Sequence, residues 1–287
     1  NWSNSLQEII ISDWLSKYNI EDKSSKRIAI IMAGNIPIVG FHDLLCSLLL
    51  NFDCLVKLSS DDKLLIPFIV RFLESRNKKF KNKVIFESEK LKNFDGVIAT
   101  GNNNSHRYFD YYFSKYPNLL RKTRHSIAVL DGNENDNNLA GLSNDIFNYF
   151  GLGCRSVSKV FLPRGYDLDI LFNAFFSYKE IINHNKYVNN FDYNKAVYLM
   201  SKEKFIENGF LILKEETKLG SPIGCLFYEF YDDKKDILKL IQNNSDSIQC
   251  VASNLDLKTN IQFGQTQCPT IGDYADNNDT IKFLLKI

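Results

Sequence analysis

The stretch RIAIIMAGNIPIVGFHDLLC (Arg27–Cys46) carries the pattern on which the fold turns. Its opening, Arg27–Ala33, is a short run rich in β-branched residues, the composition of a buried strand. Gly34-Asn35-Ile36-Pro37 breaks the run, because glycine frees the backbone and proline removes a donor and disfavours helix in the residue before it. Phe41–Leu50 then reads as a helix. Strand, loop and helix in that order make the first half of a βαβ unit, and βαβ units build parallel sheets.

The alternation continues outward. Cys54–Leu58 reads as a strand and Asp62–Lys79 as a helix that Pro67 would bend. Val84–Phe86 and Gly96–Ala99 read as strands, with a helix at Asn104–Tyr116. Beyond them come a strand at His125–Leu130, a helix at Asn137–Phe150, a strand at Lys159–Leu162 and a long helix at Leu168–His184. Strands at Ala196–Met200, Leu211–Lys214 and Cys225–Phe230 and a helix at Lys234–Gln242 complete the pattern. The polar, turn-rich DGNENDNN (Asp131–Asn138) divides two α/β halves.

A chain of 287 residues, 44% hydrophobic and 24% charged, has the composition of a soluble globular protein of one large or two modest domains. A net charge of +1 leaves no electrostatic footprint for nucleic acid or an anionic membrane. No apolar run approaches the ~20 residues that cross a bilayer. Asn1–Ser5 has no basic leader, and an opening on Asn rather than Met is read as N-terminal trimming. The six cysteines form no CxxC pair and have no histidine at zinc spacing. No metal is expected, and the thiols read as reduced in a cytoplasmic protein.

Four places can carry chemistry. Cys154 lies in FGLGCRSVS (Phe150–Ser158), where glycines let the backbone approach a substrate and Arg155 would favour the thiolate. The same residues also suit a buried cysteine in a tight turn. Asn35 reads either as a helix cap in a proline-directed turn or as an amide donor to an oxyanion. Lys57 ends an apolar strand ahead of Ser59-Ser60, a place for contact with ribose or phosphate, or for a surface lysine. Thr100-Gly101-Asn102-Asn103 joins a strand to a helix whose N-terminus would accept pyrophosphate, although GxGxxG is absent.

Six segments in one order resemble the aldehyde dehydrogenase superfamily, and within it the LuxC-type acyl-CoA reductase branch. They are GNIPIVGFHDLLC (Gly34–Cys46), LVKLSSDDKLL (Leu55–Leu65), IATGNNNSHRYFDYYF (Ile98–Phe113), RHSIAVLDGNE (Arg124–Glu134), GLGCRSVSKVFLP (Gly151–Pro163) and FGQTQCPTIGDYAD (Phe263–Asp276). The resemblance implies an α/β, aldehyde-dehydrogenase-like fold with a parallel-sheet cofactor domain and an α/β catalytic domain. The expected boundaries are 1–131 for the cofactor domain, 132–262 for the domain carrying the nucleophile, and 263–287 for a segment returning to the first.

Carried over by position, Cys154 matches the family nucleophile and Asn35 the side-chain donor of the oxyanion hole. Lys57, with Ser59 and Ser60, matches the part that meets the adenosine ribose, and Gly101 and Asn102 match the turn beside the pyrophosphate. Ser60 stands where NAD-preferring relatives place a glutamate that binds the 2′-hydroxyl, so NADPH is expected over NADH. The implied substrate is an acyl-CoA or acyl-protein thioester. A homo-oligomer and an acyl-protein synthetase are the implied partners.

Two departures accompany the resemblance. The family's general-base glutamate has no counterpart in Leu130-Asp131-Gly132, which fits thioester reduction better than aldehyde oxidation. A second glutamate, which grips the nicotinamide ribose, is replaced by Ser221. An acyl-transferase or acyl-carrier partner acylated on Cys154 is the alternative, and a cysteine hydrolase using His125 as base is a third reading.

Overall fold

The computed structural model describes residues 2–20, 26–257 and 260–287. Two compact units divide the chain: Asn1–Thr123 with Thr270–Ile287, and Arg124–Pro269. The boundary expected after residue 131 is therefore corrected. The strand beginning at His125 pairs with strands of the second unit, and Asp131–Asn138 is a loop and helix cap inside that unit. The return to the first unit starts at Thr270 and not at 263, because Gly264 and Thr266 are held by Asp145 of the second.

The first unit opens with helices α1 (Trp2–Ser5) and α2 (Glu8–Leu15). It continues as β1 (Arg27–Ile31), α3 (Phe41–Leu49), β2 (Asp53–Lys57), α4 (Leu65–Arg76), β3 (Val84–Phe86), β4 (Gly96–Thr100), α5 (Asn103–Phe113) and β5 (Asn118–Arg121). Its sheet is parallel throughout, in the order β3-β2-β1-β4-β5. The apolar runs follow from that layout: Ile28, Ala29, Ile30, Val97, Ile98 and Ala99 are buried because helices or loops cover both faces. Strand order reverses at β1 and β4, and α/β sheets bind ligands beyond the strand carboxyl ends at such a switch point. Pro67 does not bend α4, since it lies in the first turn, where its missing N–H has no intrahelical partner to lose.

The returning segment is locked by a buried polar knot. Arg121 pairs with Asp43 of α3, each 4% exposed, and its Nη2 donates to Thr280 Oγ1 at 3.0 Å. Thr280 opens the C-terminal helix Thr280–Leu285, and its hydroxyl donates to Asp43 Oδ1 at 3.2 Å.

The second unit runs β6 (His125–Val129), α6 (Asp136–Phe147), β7 (Val157–Pro163), α7 (Leu168–Phe175) and α8 (Asn185–Met200). It ends with β8 (Ile206–Glu207), β9 (Ile212–Glu215), β10 (Cys225–Tyr231), α9 (Lys234–Asn243), β11 (Ile248–Ser253) and β12 (Asn260–Ile261). The order is β12-β11-β6-β7-β10-β9-β8, parallel except for the β8–β9 pair. The strand expected at Ala196–Met200 is instead the end of α8. Its buried residues Tyr187, Phe191, Asn194 and Tyr198 keep helical spacing, which the local apolar run conceals.

Candidate active site

Cys154 sits between α6 and β7. Tyr149, Phe150 and Gly151 adopt left-handed conformations, with φ of 56, 59 and 73°, and turn the chain away from α6. Cys154 follows in the turn and is exposed. Its carbonyl accepts a hydrogen bond from Ser126 Oγ at 2.9 Å, and the same hydroxyl lies 3.0 Å from Cys250 Sγ. Ser126 is the second residue of β6, so the turn is tied to a central strand of its sheet.

A second brace comes from the segment after β12. Arg155 Nη1 donates to Thr266 O at 3.3 Å, and Gln267 Nε2 donates to Ser156 Oγ at 3.2 Å. That segment is held in turn by Asp145 of α6. The carboxylate accepts from Gly264 N at 2.7 Å, Thr266 N at 3.1 Å and Thr266 Oγ1 at 2.7 Å. Burial raises the Asp145 pKa, and these donors oppose that rise without cancelling it.

Burial also sorts the cysteines. It pushes the thiols of Cys54 and Cys225 up to about 12 and that of Cys250 up to about 11, and raises Cys46 well above its ordinary value. Thiols held there stay protonated and are poor nucleophiles. Cys154 and Cys268 are the exposed ones.

Other residues of the second unit take structural roles. The His125 ring packs on Gly220, where a Cβ would come within 2.1–2.6 Å of the imidazole, and burial lowers its pKa, favouring the neutral ring. Ser221 Oγ donates to Cys225 O at 2.7 Å and closes the turn into β10. Leu130-Asp131-Gly132 follows the carboxyl end of β6, about 16 Å along a five-residue strand from the end at which Ser126 meets the Cys154 turn. The carboxylate of Glu134 accepts from Asp131 N and Gly132 N at 2.7 and 3.1 Å, closing that loop. No base for Cys154 comes from this stretch.

In the first unit, the remaining expected residues lie at or just beyond the carboxyl ends of β1, β2 and β4. Asn35 is exposed in the bend after β1. A Cβ on Gly34 would lie 2.5 Å from Ser59 Cβ, so glycine is what lets the loops after β1 and β2 meet. Asp62 strengthens that meeting by accepting from Ile38 N at 2.7 Å. Ser59 Oγ accepts from Asp61 N at 3.3 Å, and Ser60 Oγ lies 3.5 Å from Asp61 Oδ1. Lys57 Nζ donates to Glu89 O at 2.9 Å, across the loop after β3.

Gly101 and Asn102 form the turn into α5. A Cβ on Gly101 would lie 2.8 Å from Ser105 Cβ and 2.9 Å from the Phe109 ring, so the turn hugs its helix. Asn102 caps α5 by accepting from Ser105 N at 2.9 Å. The loops after β1 and β4 thus flank the switch point, and an α-helix N-terminus points its partial positive charge there.

Ser126, Asp145, Thr266 and Gln267 were not legible as parts of the site. The one usable signal was Asp145, an acidic residue between the apolar positions Leu142 and Ile146 of a helix.

No family model and no curated protein sequence matches the chain. Solved structures do. Aldehyde dehydrogenase 21 from Physcomitrella patens, in complex with the reaction product succinate, matches with a TM-score of 0.66 at 12% identity, over 91% of this chain and 66% of that one. An NAD+ complex of an aldehyde dehydrogenase from Bacillus cereus matches at 0.61 and 13% identity, over 88% and 63%. The Mycobacterium tuberculosis aldehyde dehydrogenase complexed with NAD+ matches at 0.57 and 13%, over 79% and 56%. The chain has the aldehyde-dehydrogenase fold and spans less than two thirds of the length of each of these proteins.

Proposed function

We propose that the chain belongs to an NADPH-dependent oxidoreductase that reduces an acyl thioester, such as an acyl-CoA, to an aldehyde. The observation that carries the reading is the exposed Cys154, held in a doubly braced turn, in a chain whose other sheet has a topological switch point between β1 and β4. The order of the motifs that resemble the LuxC-type branch supports reduction over oxidation. So does the departure from the family's general-base motif at Leu130-Asp131-Gly132, because aldehyde oxidation needs activated water and thioester reduction does not.

Cys154 attacks the thioester carbonyl; a carbon–sulfur bond to the enzyme forms and the bond to CoA breaks, releasing the CoA thiol. The Cys154 backbone N–H and the Asn35 amide are assigned to the oxyanion that forms on the way. Lys57, Ser59 and Ser60 would hold the adenosine ribose, with Gly101, Asn102 and the start of α5 beside the pyrophosphate. When bound, the reduced nicotinamide supplies the hydride that turns the acyl group into an aldehyde. Cys154 leaves as thiolate when the aldehyde departs, and the turn is ready again.

The test is a product assay. Acyl-CoA with NADPH should give aldehyde and CoA in equal amounts, and none with Cys154→Ala; free acid as the product would overturn the reading. NADPH should bind more tightly than NADH, because Ser60 lacks a carboxylate; equal affinities would remove that preference. One observation favours a second reading. Ser221 donates to the Cys225 carbonyl, so its proton is not available to a nicotinamide ribose, and unlike a carboxylate it has one oxygen with which to accept. A transferase acylated on Cys154 would then show no saturable binding in a nucleotide titration, whereas the reductase requires it.

A further inference from the structure

Lys63–Lys81, within the first unit, concentrates positive charge beside exposed apolar side chains. Six basic residues (Lys63, Arg71, Arg76, Lys78, Lys79 and Lys81) and one acid, Glu74, give the segment a charge of +5. The whole chain carries +1, a balance that hides this local excess. All six basic residues are exposed, and among the described residues none of them takes part in an ion pair. Glu74 accepts from Asn82 N at 3.4 Å. Asp62, just ahead of the segment, accepts from Ile38 N at 2.7 Å.

Helical spacing sorts these residues by face. Ile66 and Val70 anchor α4 in the core of its unit. Leu65, Phe68 and Phe72, spaced i, i+3 and i+7, fall on the other side and are 45%, 62% and 50% exposed. Leu64, immediately before the helix, is 79% exposed. Arg71 and Arg76 fall on either side of this stripe, and the Arg76 guanidinium lies 5.1 Å from the centroid of the Phe72 ring. Lys78 and Lys79 follow in the 3₁₀ turn Lys78–Phe80, and Lys81 comes next.

Single exposed leucines need no partner, but a stripe of four large apolar side chains bordered by cations does. A helix lying in the interface of a bilayer has this layout, with leucine and phenylalanine on one face and Lys and Arg along its borders. Among the described residues no helix is long and apolar enough to cross a membrane, so the contact is with a membrane surface. A second copy docked face to face would set the cations of one against those of the other. Single-stranded nucleic acid would use the rings and cations but has nothing to stack on Leu64 and Leu65.

We propose that the outer face of α4 and the basic turn after it dock on an anionic lipid bilayer. Leu64, Leu65, Phe68 and Phe72 enter the boundary between headgroups and acyl chains, and the six cations meet the lipid phosphates and carboxylates. The inference is independent of the chemistry assigned to Cys154.

Flotation of the full chain with phosphatidylcholine vesicles, with and without one third phosphatidylserine, tests it. Binding should require phosphatidylserine and weaken as salt rises. Lys78→Ala with Lys79→Ala should weaken it by about 25-fold, at about fivefold for each charge. Phe68→Ala with Phe72→Ala should weaken it by about tenfold or more, since the rings bury apolar area in the lipid. Both pairs are exposed, so circular dichroism and urea unfolding should match the wild type. Lys234→Ala with Lys235→Ala, exposed on α9, should leave binding unchanged. In Phe72→Trp, the added fluorescence should be quenched by lipids brominated on their acyl chains; no quenching in bound protein overturns the proposal. So does a chain that stays off the vesicles at low salt, or binding that both α4 pairs leave unchanged. Tighter α4-dependent binding to oligothymidylate than to vesicles would assign the face to nucleic acid and overturn it. A dimer that Phe68→Ala with Phe72→Ala dissolves would assign it to a second copy, with the same consequence.

Discussion

Gly141→Ala sets helix propensity against packing, and the two give opposite signs. In the interior of α6, alanine is better than glycine by about 1 kcal/mol. A Cβ at residue 141, however, would lie 2.8 Å from the carbonyl carbon and oxygen of Phe263 and 3.0 Å from Gly264 N. Ordinary contact begins near 3.4 Å, so the segment must back away by roughly 0.6 Å, and its obstacle is backbone and not a flexible side chain. Asp145 lies one turn further along α6 and grips that segment at 2.7, 3.1 and 2.7 Å. The retreat stretches these bonds past the ~3.2 Å limit of a good hydrogen bond, at about 1 kcal/mol each. Against the helix gain, the net expectation is a loss of about 2 kcal/mol in urea unfolding. Ala140→Gly, on the exposed side of the same helix, should lose about 1 kcal/mol with no clash involved. Because Thr266 and Gln267 brace Arg155 and Ser156, Gly141→Ala should also slow alkylation of Cys154. A variant as stable as the wild type, or more so, would refute the packing argument.

Three further outcomes follow from the same geometry. Arg121→Ala strands the Asp43 carboxylate, which is 4% exposed, and should cost about 3–5 kcal/mol by chemical denaturation; under 1 kcal/mol would contradict the buried knot. Burial holds His125 below its ordinary pKa of 6.5, so the unfolded chain takes up a proton that the folded one refuses. The stability involved is complete above pH 6.5 and is lost as pH falls through the folded value, and His125→Gln should flatten that part of the acid profile; an unchanged slope counts against it. If Asn35 donates to the oxyanion, Asn35→Ala should lower kcat on an acyl thioester by about 10²–10³ with a smaller change in KM, and a loss under threefold would take Asn35 out of that role.

Much of the first sheet was legible because its strands are short β-branched runs, such as Ile28–Ile31 and Val97–Ala99, set off by glycine and turn residues. β5 and β11 were not. β5 starts on Asn118 and ends on Arg121, a charge tolerated there only through Asp43, and β11 mixes Gln249, Cys250 and Ser253 into a fully buried strand. The end of α8 read as a strand because Val197–Met200 is locally apolar, while the stripe that buries the helix is spread over three turns. The unit boundary hid in Lys122–Arg124, which has no turn composition, while the turn-rich loop nearby belongs to one unit. The exposed Cys154 could be located from its flanking glycines. Its braces could not, since Ser126 and Thr266 lie 28 and more than 100 residues away and reach the turn through pairings that no local pattern records.

Acylation of the thiol can be observed directly. Intact wild-type protein incubated with an acyl-CoA, without nucleotide, should gain the mass of one acyl group, mapped by peptide sequencing to Cys154 and lost again when NADPH is added. An adduct on Cys268 alone, or a folded protein that gains no mass at all, would contradict the account.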